Sequence, residues 1–234
     1  MAIKIKHKFI DRIFINDKKI NIKIMIIGTF NPGKPIRKFL NEKEITQFTA
    51  ISNLKKFQSF DQIMNFYDRP RNRFWKIMDI LNIPTFYNTD YKKINPDGLK
   101  FYSSKNMTRE KTYNRQIEFC KSRQIEITDL VSAINPISFS GIYDAFSDIV
   151  IEKSKPEWNT ENIINMIRIY SPQKLLVNFD FESKSTPKLN EQLKIIMCKF
   201  PELEITRILS PSGAAANSYD ELLNDWNDKF KLGK

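Results

Sequence analysis

The sequence predicts an α/β fold whose parallel sheet carries helices on both faces. Four short runs rich in Ile, Leu and Val, at residues 22–27, 126–131, 174–179 and 204–209, read as buried strands. Between them lie longer segments whose apolar residues recur at three- and four-residue spacing, the period of a helix buried on one side. Strands that alternate with helices form parallel sheets, because a parallel connection needs a crossover long enough to hold a helix.

Each element has local support. The opening segment IKIKHKFIDRIFI, residues 3–15, alternates apolar and polar residues as a half-buried strand does, and NDKK at 16–19 can turn it back. The run at 22–27 ends on Gly28, followed by Thr29, Phe30 and the turn Asn31-Pro32-Gly33. Pro70 precedes the helical pattern RNRFWKIMDIL. The segment WNTENIINMIRIY holds Asn159 as a cap, and TPKLNEQLKIIMCKF places Pro187 just inside a helix start. SYDELLNDWNDKF opens with Ser218-x-x-Glu221, a capping box.

At 234 residues the chain suits one core and is short for two, and it holds no repeat, low-complexity tract or Gly/Ser linker. A single domain over 1–234 is therefore expected. The net charge of +11 favours an anionic partner, most simply a nucleic-acid backbone. A Lys-rich composition inherited from an AT-rich genome would give the same surplus, so charge alone leaves both explanations open. The two cysteines, Cys120 and Cys198, lack CxxC spacing, which argues against a disulfide framework, a zinc site and an iron–sulfur cluster. The one histidine, His7, reads as an exposed strand residue, so neither a His-metal site nor Ser–His–Asp chemistry is expected. No apolar run spans a bilayer and no signal-peptide core opens the chain, which points to a soluble cytoplasmic protein in a reducing environment.

In open α/β sheets ligands bind beyond the carboxyl ends of the strands, so the loops there carry the information. GTFNPG, 28–33, permits close backbone approach at Gly28 and Gly33, but it has neither phosphate-loop nor dinucleotide spacing. Taken alone it is a strand-ending turn. NFYDRPRNRFWKIM, 65–78, interleaves Arg69, Arg71 and Arg73 with Tyr67, Phe74 and Trp75. Phosphate-reaching cations beside stackable rings suit a nucleotide cleft. Phe74 and Trp75 fit a helix core equally well, whereas Tyr67, ahead of Pro70, fits it less easily. LSPSGAAANSY, 209–219, offers small residues and backbone N–H groups to another chain.

In this order the three loops resemble the uracil-DNA glycosylase superfamily, most closely its mismatch-specific uracil/thymine branch. The motifs are Asn31-Pro32-Gly33, then Tyr67-x-x-Pro70-Arg71-Asn72-Arg73-Phe74-Trp75, then Ser210-Pro211-Ser212-Gly213, and ITDLV at 127–131 is similar to the family's second core strand. The resemblance implies a three-layer α/β/α sandwich on a central four-stranded parallel sheet. It also implies a monofunctional DNA glycosylase that flips a pyrimidine from duplex DNA and hydrolyses its N-glycosidic bond. Asn31 would position the attacking water. Gly28, Thr29, Phe30, Tyr67, Asn72 and Ser210 would line the base pocket, with Tyr67 stacked on the base. Arg69, Arg71, Ser212, Gly213, Ala214 and Ala215 would hold the DNA.

No metal or cofactor is implied, and a monomer acting on double-stranded DNA is expected. The chain departs from its relatives in several places. Two residues rather than one separate Gly28 from Asn31, and Ser210 stands where relatives carry Asn or His. The wedge is Ala214-Ala215, and VNFDF replaces a strand end that usually carries Gly-Lys. Extra length near 82–115 and 134–158 reads as insertions. The substrate expected is uracil or mispaired thymine in repair, or a hydroxymethylated or glucosylated cytosine of phage DNA in antiviral defence. The competing expectation is a catalytically silent nucleic-acid-binding module on the same scaffold.

Overall fold

Burial on both sides explains the run IMIIG at residues 24–28, a strand with no exposed position. The computed structural model describes residues 5–15, 21–30, 65–68, 72–82, 109–135, 148–212 and 217–230. Along the chain these hold β1 (Ile5–Lys6), β2 (Ile24–Gly28), α1 (Phe74–Asn82), α2 (Arg109–Arg123), β3 (Ile125–Asp129), β4 (Val131–Asn135), α3 (Asp148–Lys153), β5 (Lys155–Trp158), α4 (Thr160–Tyr170), β6 (Lys174–Val177), α5 (Pro187–Lys199), β7 (Glu204–Arg207) and α6 (Tyr219–Lys229).

The protein is α/β, with a four-stranded sheet in the order β3-β2-β6-β7 flanked by helices. Every pairing in that sheet is parallel, with Gly28 opposite Asp129 and Ile27 opposite Val177. The connection from β2 to β3 runs one way across the sheet, and those from β3 to β6 and from β6 to β7 run the other way. Right-handed crossovers then put α4 and α5 on one face, opposite α1 and α2. Packing agrees: α4 lies on α5 and α1 lies on α6. Phe74 meets Trp226 edge to face at 5.3 Å, and both rings are fully buried. The arrangement is compatible with a three-layer sandwich.

The four expected strand runs are present, with ends shifted by up to two residues. One difference changes the topology. The run at 126–131 is two strands in two sheets, because the chain turns at Leu130. Leu130 N–H donates to Gly28 O and Val131 N–H to Thr29 O, at 3.0 and 3.1 Å. Beyond that point β4 pairs antiparallel with β1 and β5 in a separate three-stranded sheet.

The opening segment is also shorter as a strand than its alternation suggests. Only Ile5–Lys6 pair as β1, and residues 8–15 turn back. Phe9, Phe14 and Ile15 still bury, and the N–H groups of Phe14 and Ile15 donate to the Glu126 carboxylate. That internal acceptor replaces strand pairing for these two residues. The turn expected at 16–19 lies outside the described residues.

Local signals decide some helix starts. The Ser218–Glu221 capping box forms in both directions, with Glu221 N–H on Ser218 Oγ and Ser218 N–H on Glu221 Oε2. Pro187 opens α5. Asn159 sits at the start of α4, yet its side chain makes no cap bond. Its amide donates instead to Thr128 Oγ1 and to Asp129 O, tying α4 to the end of β3.

The regions read as insertions contribute regular structure. Residues 109–115 open α2, and the span 134–158 holds the end of β4 together with α3 and β5. Their mixed polar composition hid them, because β5 is half exposed and α2 presents a largely polar surface. Among the described residues no helix is long and apolar enough to cross a membrane.

Candidate functional site

Strand order locates the site. The chain leaves β2 toward β3 and then crosses back to β6, so the order reverses between β2 and β6, and open sheets bind ligands beyond such a reversal. Three side chains converge there on the bare backbone of Gly28. A Cβ at Gly28 would overlap Asp129 Oδ1 and the Tyr67 hydroxyl, and would lie 3.3 Å from Asn178 Oδ1. Asp129 ends β3, and Asn178 follows β6 with its own N–H on Ile27 O. The lack of a side chain at Gly28 is what lets them meet.

Tyr67 reaches this point through a constrained turn. Its φ of 57° is left-handed, an uncommon state for a residue with a Cβ. The neighbours enforce it. Buried Asn65 accepts from Phe66 N–H and from Arg12, and donates to Gln116. Trp75 Nε1 donates to Phe66 O at 2.7 Å. The Tyr67 ring stacks on Phe74 at 4.5 Å, and its hydroxyl accepts from Asn178 Nδ2 at 2.7 Å. The hydroxyl proton then points to Asp129 Oδ1, at 3.5 Å.

The other Asp129 oxygen is held by His7. Nε2 lies 2.6 Å from Oδ2, and both side chains are fully buried. Nδ1 of the same ring accepts from Phe9 N–H, so the ring proton sits on Nε2 and is donated to the carboxylate. This corrects the exposed position expected for His7. Its N–H on Ser132 O continues the β1–β4 pairing and carries the ring inward between Phe30 and Phe66. Asp148, at the start of α3, closes the same corner. Burial pushes its carboxyl above the ordinary range, a hydrogen bond from Thr29 opposes the shift, and the Asp129 and Glu152 charges reinforce it.

The loop after β7 is joined to the Tyr67 region by one residue. Arg73 N–H donates to Pro211 O, and its guanidinium donates to Ser212 O and to Asn217 O. The fork thus grips both sides of the segment 213–216, and it lies over the Tyr219 ring. Ser210 Oγ accepts from Ser212 N–H, and Ser210 O accepts from Asn217. Trp226 Nε1 on Leu209 O fixes the loop's first residue.

Among the expected site residues, Gly28 and Tyr67 share the cluster. Thr29 and buried Phe30 lie beside it, on Asp148 and His7 respectively. Asn72 Oδ1 accepts from Phe74 N–H, a local turn at the head of α1. Ser210 and Ser212 belong to the loop that Arg73 holds. Asn31, Arg69, Arg71, Gly213, Ala214 and Ala215 lie outside the described residues. Phe74 and Trp75 are core, as their helical spacing suggests.

The sequence reading missed His7, Asp129, Asn178 and Asp148. Asp129 and Asn178 each stand at the end of an apolar strand run, and that placement is a usable signal. His7 and Asp148 carry none. No protein-family model matches the chain, and no curated protein matches it.

Proposed function

We propose that the chain is a monofunctional DNA glycosylase with a uracil-DNA glycosylase-like fold. It flips a damaged, mismatched or modified pyrimidine from duplex DNA and hydrolyses its N-glycosidic bond, leaving an abasic site. One observation carries this reading: three sequence patches far apart along the chain meet at one end of the sheet. Gly28 ends β2, Tyr67 touches Asn178 and Asp129 there, and Arg73 ties the Tyr67 region to the Ser210–Ser212 loop.

The chemistry suits such a site. Glycosidic cleavage builds positive charge on the sugar and negative charge on the leaving base, so a placed water and oriented polar groups suffice without a strong nucleophile. Asn31, three residues beyond Gly28, holds the water by its side-chain carbonyl. Tyr67 has one ring face against Phe74, and its other face stacks on the base. The net charge of +11 supports binding to the DNA backbone. The reaction needs no cofactor or metal, and the enzyme works as a monomer. Its substrate is uracil or mispaired thymine in repair, or a hydroxymethylated or glucosylated cytosine in defence against phage.

Mass spectrometry of bases released from a mixed set of modified DNAs tests the reading. Release of a free base is expected, and Asn31→Ala is expected to slow it by about 100-fold, the scale of one lost transition-state contact. Salt-sensitive DNA binding that is unchanged in Asn31→Ala, with no base released from any substrate, would make the chain a silent binding module instead.

A further inference from the structure

We infer that Asp148 is a catalytic residue of the base-excision reaction, the carboxylate that takes the proton of the attacking water. The inference rests on the excision reading and supplies a group that reading lacks. An Asn carbonyl accepts a hydrogen bond from water but is too weak a base to keep the proton.

Asp148 has the place for this role. It opens α3 and is half-buried, unlike the filled knot of Asp129, Tyr67 and Asn178 around Gly28. Its carboxylate accepts from the side chain of Thr29, the residue that follows β2 at the carboxyl end of the sheet. Thr29 is half-buried too, and its carbonyl is fixed by Val131 N–H. The two side chains thus share a partly open surface at the end of the sheet where ligands bind. Asn31 stands two residues beyond Thr29, and two residues of chain span about 7 Å at most. A carboxylate has about four lone-pair sites, so the Thr29 bond leaves room for a water.

The surroundings suit a base as well. Asp129 cannot take the proton, because it is fully buried with Oδ2 on His7 and Oδ1 toward Tyr67. Its charge acts on Asp148 instead. Burial raises the Asp148 carboxyl, the Thr29 bond opposes the shift, and the charges of Asp129 on β3 and Glu152 on α3 add to it. Glu152 in turn accepts from the N–H groups of Lys188 and Leu189, and the Lys188 ammonium donates to Glu152 O and Ser154 O. A carboxylate of raised proton affinity is a better base than an ordinary one. In the step, the water oxygen bonds to C1′ of the sugar while the glycosidic C–N bond breaks and leaves its electron pair on the base. One water proton passes to Asp148, which returns it to solvent, and the anionic base takes a proton from solvent water.

The test uses the full chain and duplex oligonucleotides that each carry one uracil, thymine opposite guanine, 5-hydroxymethylcytosine or glucosylated 5-hydroxymethylcytosine. The base that leaves fastest is followed in single turnovers from about pH 5 to pH 9. Only ionised Asp148 accepts the proton, so the rate is expected to fall toward acid. Asp148→Asn is expected to slow release about 100-fold or more, the scale of general-base catalysis, with DNA binding unchanged and the acid fall lost. Thr29→Val removes a donor that favours the ionised carboxylate and is expected to move the fall to higher pH.

Release by Asp148→Asn at the wild-type rate, or slowed with the acid fall intact, overturns the inference and leaves the excision reading standing. If that variant does not fold, an unmoved profile in Thr29→Val overturns it in the same way. An unaltered protein that releases no base from any oligonucleotide removes the excision reading, and the inference with it.

Discussion

Gly28→Ala is expected to destabilise the protein by about 3 kcal/mol, the upper range for overpacking a filled site, and under the base-excision proposal to abolish base release. The added methyl would overlap Asp129 Oδ1 and the Tyr67 hydroxyl, and would press on Asn178 Oδ1. None of the three can step aside at low cost. Asp129 is fully buried and held by His7, and Tyr67 sits on a left-handed turn pinned by Asn65 and Trp75. Gly28 itself cannot move, because its carbonyl accepts from Leu130 and β2 is paired on both sides. Urea unfolding with parallel assays of base release checks both parts. Wild-type stability in the alanine variant would show that the three polar groups pack less tightly than described.

The second large effect is a dependence of stability on pH that originates at Glu126. Burial raises its carboxyl from 4.5 to about 7, although the N–H groups of Phe14, Ile15 and Ile127 pull it the other way. Between these values the folded protein keeps a proton that the unfolded chain releases. The contribution is therefore fully present below about pH 4.5 and is lost as pH rises through about 7. At 1.36 kcal/mol per pH unit the loss is about 3 kcal/mol. The nearby Cys120 thiol is pushed up by its burial and by the Glu126 charge, so it stays neutral across this window. Glu126→Gln keeps an acceptor for the 14–15 segment and removes the proton, so its unfolding midpoint is expected to fall much less between pH 5 and pH 8. Equal slopes for the two proteins would place the dependence elsewhere.

The main sheet was legible because a strand buried on both faces has to be apolar throughout, as Ile24–Ile27 is. Helix starts were legible where a side chain caps its own helix, as at Ser218. Asn159 shows the boundary of that logic. The same residue type stands at a helix start, but its amide is taken by Thr128 and Asp129, 31 and 30 residues away in sequence. His7 shows it more sharply, since its partner is 122 residues distant and a buried alternating segment looks like an exposed one.

Arg73 was grouped with cations able to reach phosphates, yet its guanidinium holds carbonyls of Ser212 and Asn217. Backbone acceptors supplied by a distant loop leave no trace in a residue pattern. Asp129 and Asn178 fall between these cases. Their positions at strand ends mark them for a site, whereas the direction of their hydrogen bonds emerges only when Tyr67 stands between them.

The central place of β2 has a consequence for synthesis of the chain. Its apolar residues are finished early, but its partner β3 begins only at Ile125 and β6 at Lys174. Roughly 100 residues must be added before the first of these partners exists, about 5–20 s at ordinary elongation rates. Throughout that interval the nascent polypeptide carries an apolar ribbon without either of its strand partners. A ribosome-stalled product ending near residue 110 should therefore be captured by holdase chaperones, and one ending after β7 should be released. Equal chaperone occupancy at both lengths would mean that β2 is sheltered before its sheet is made.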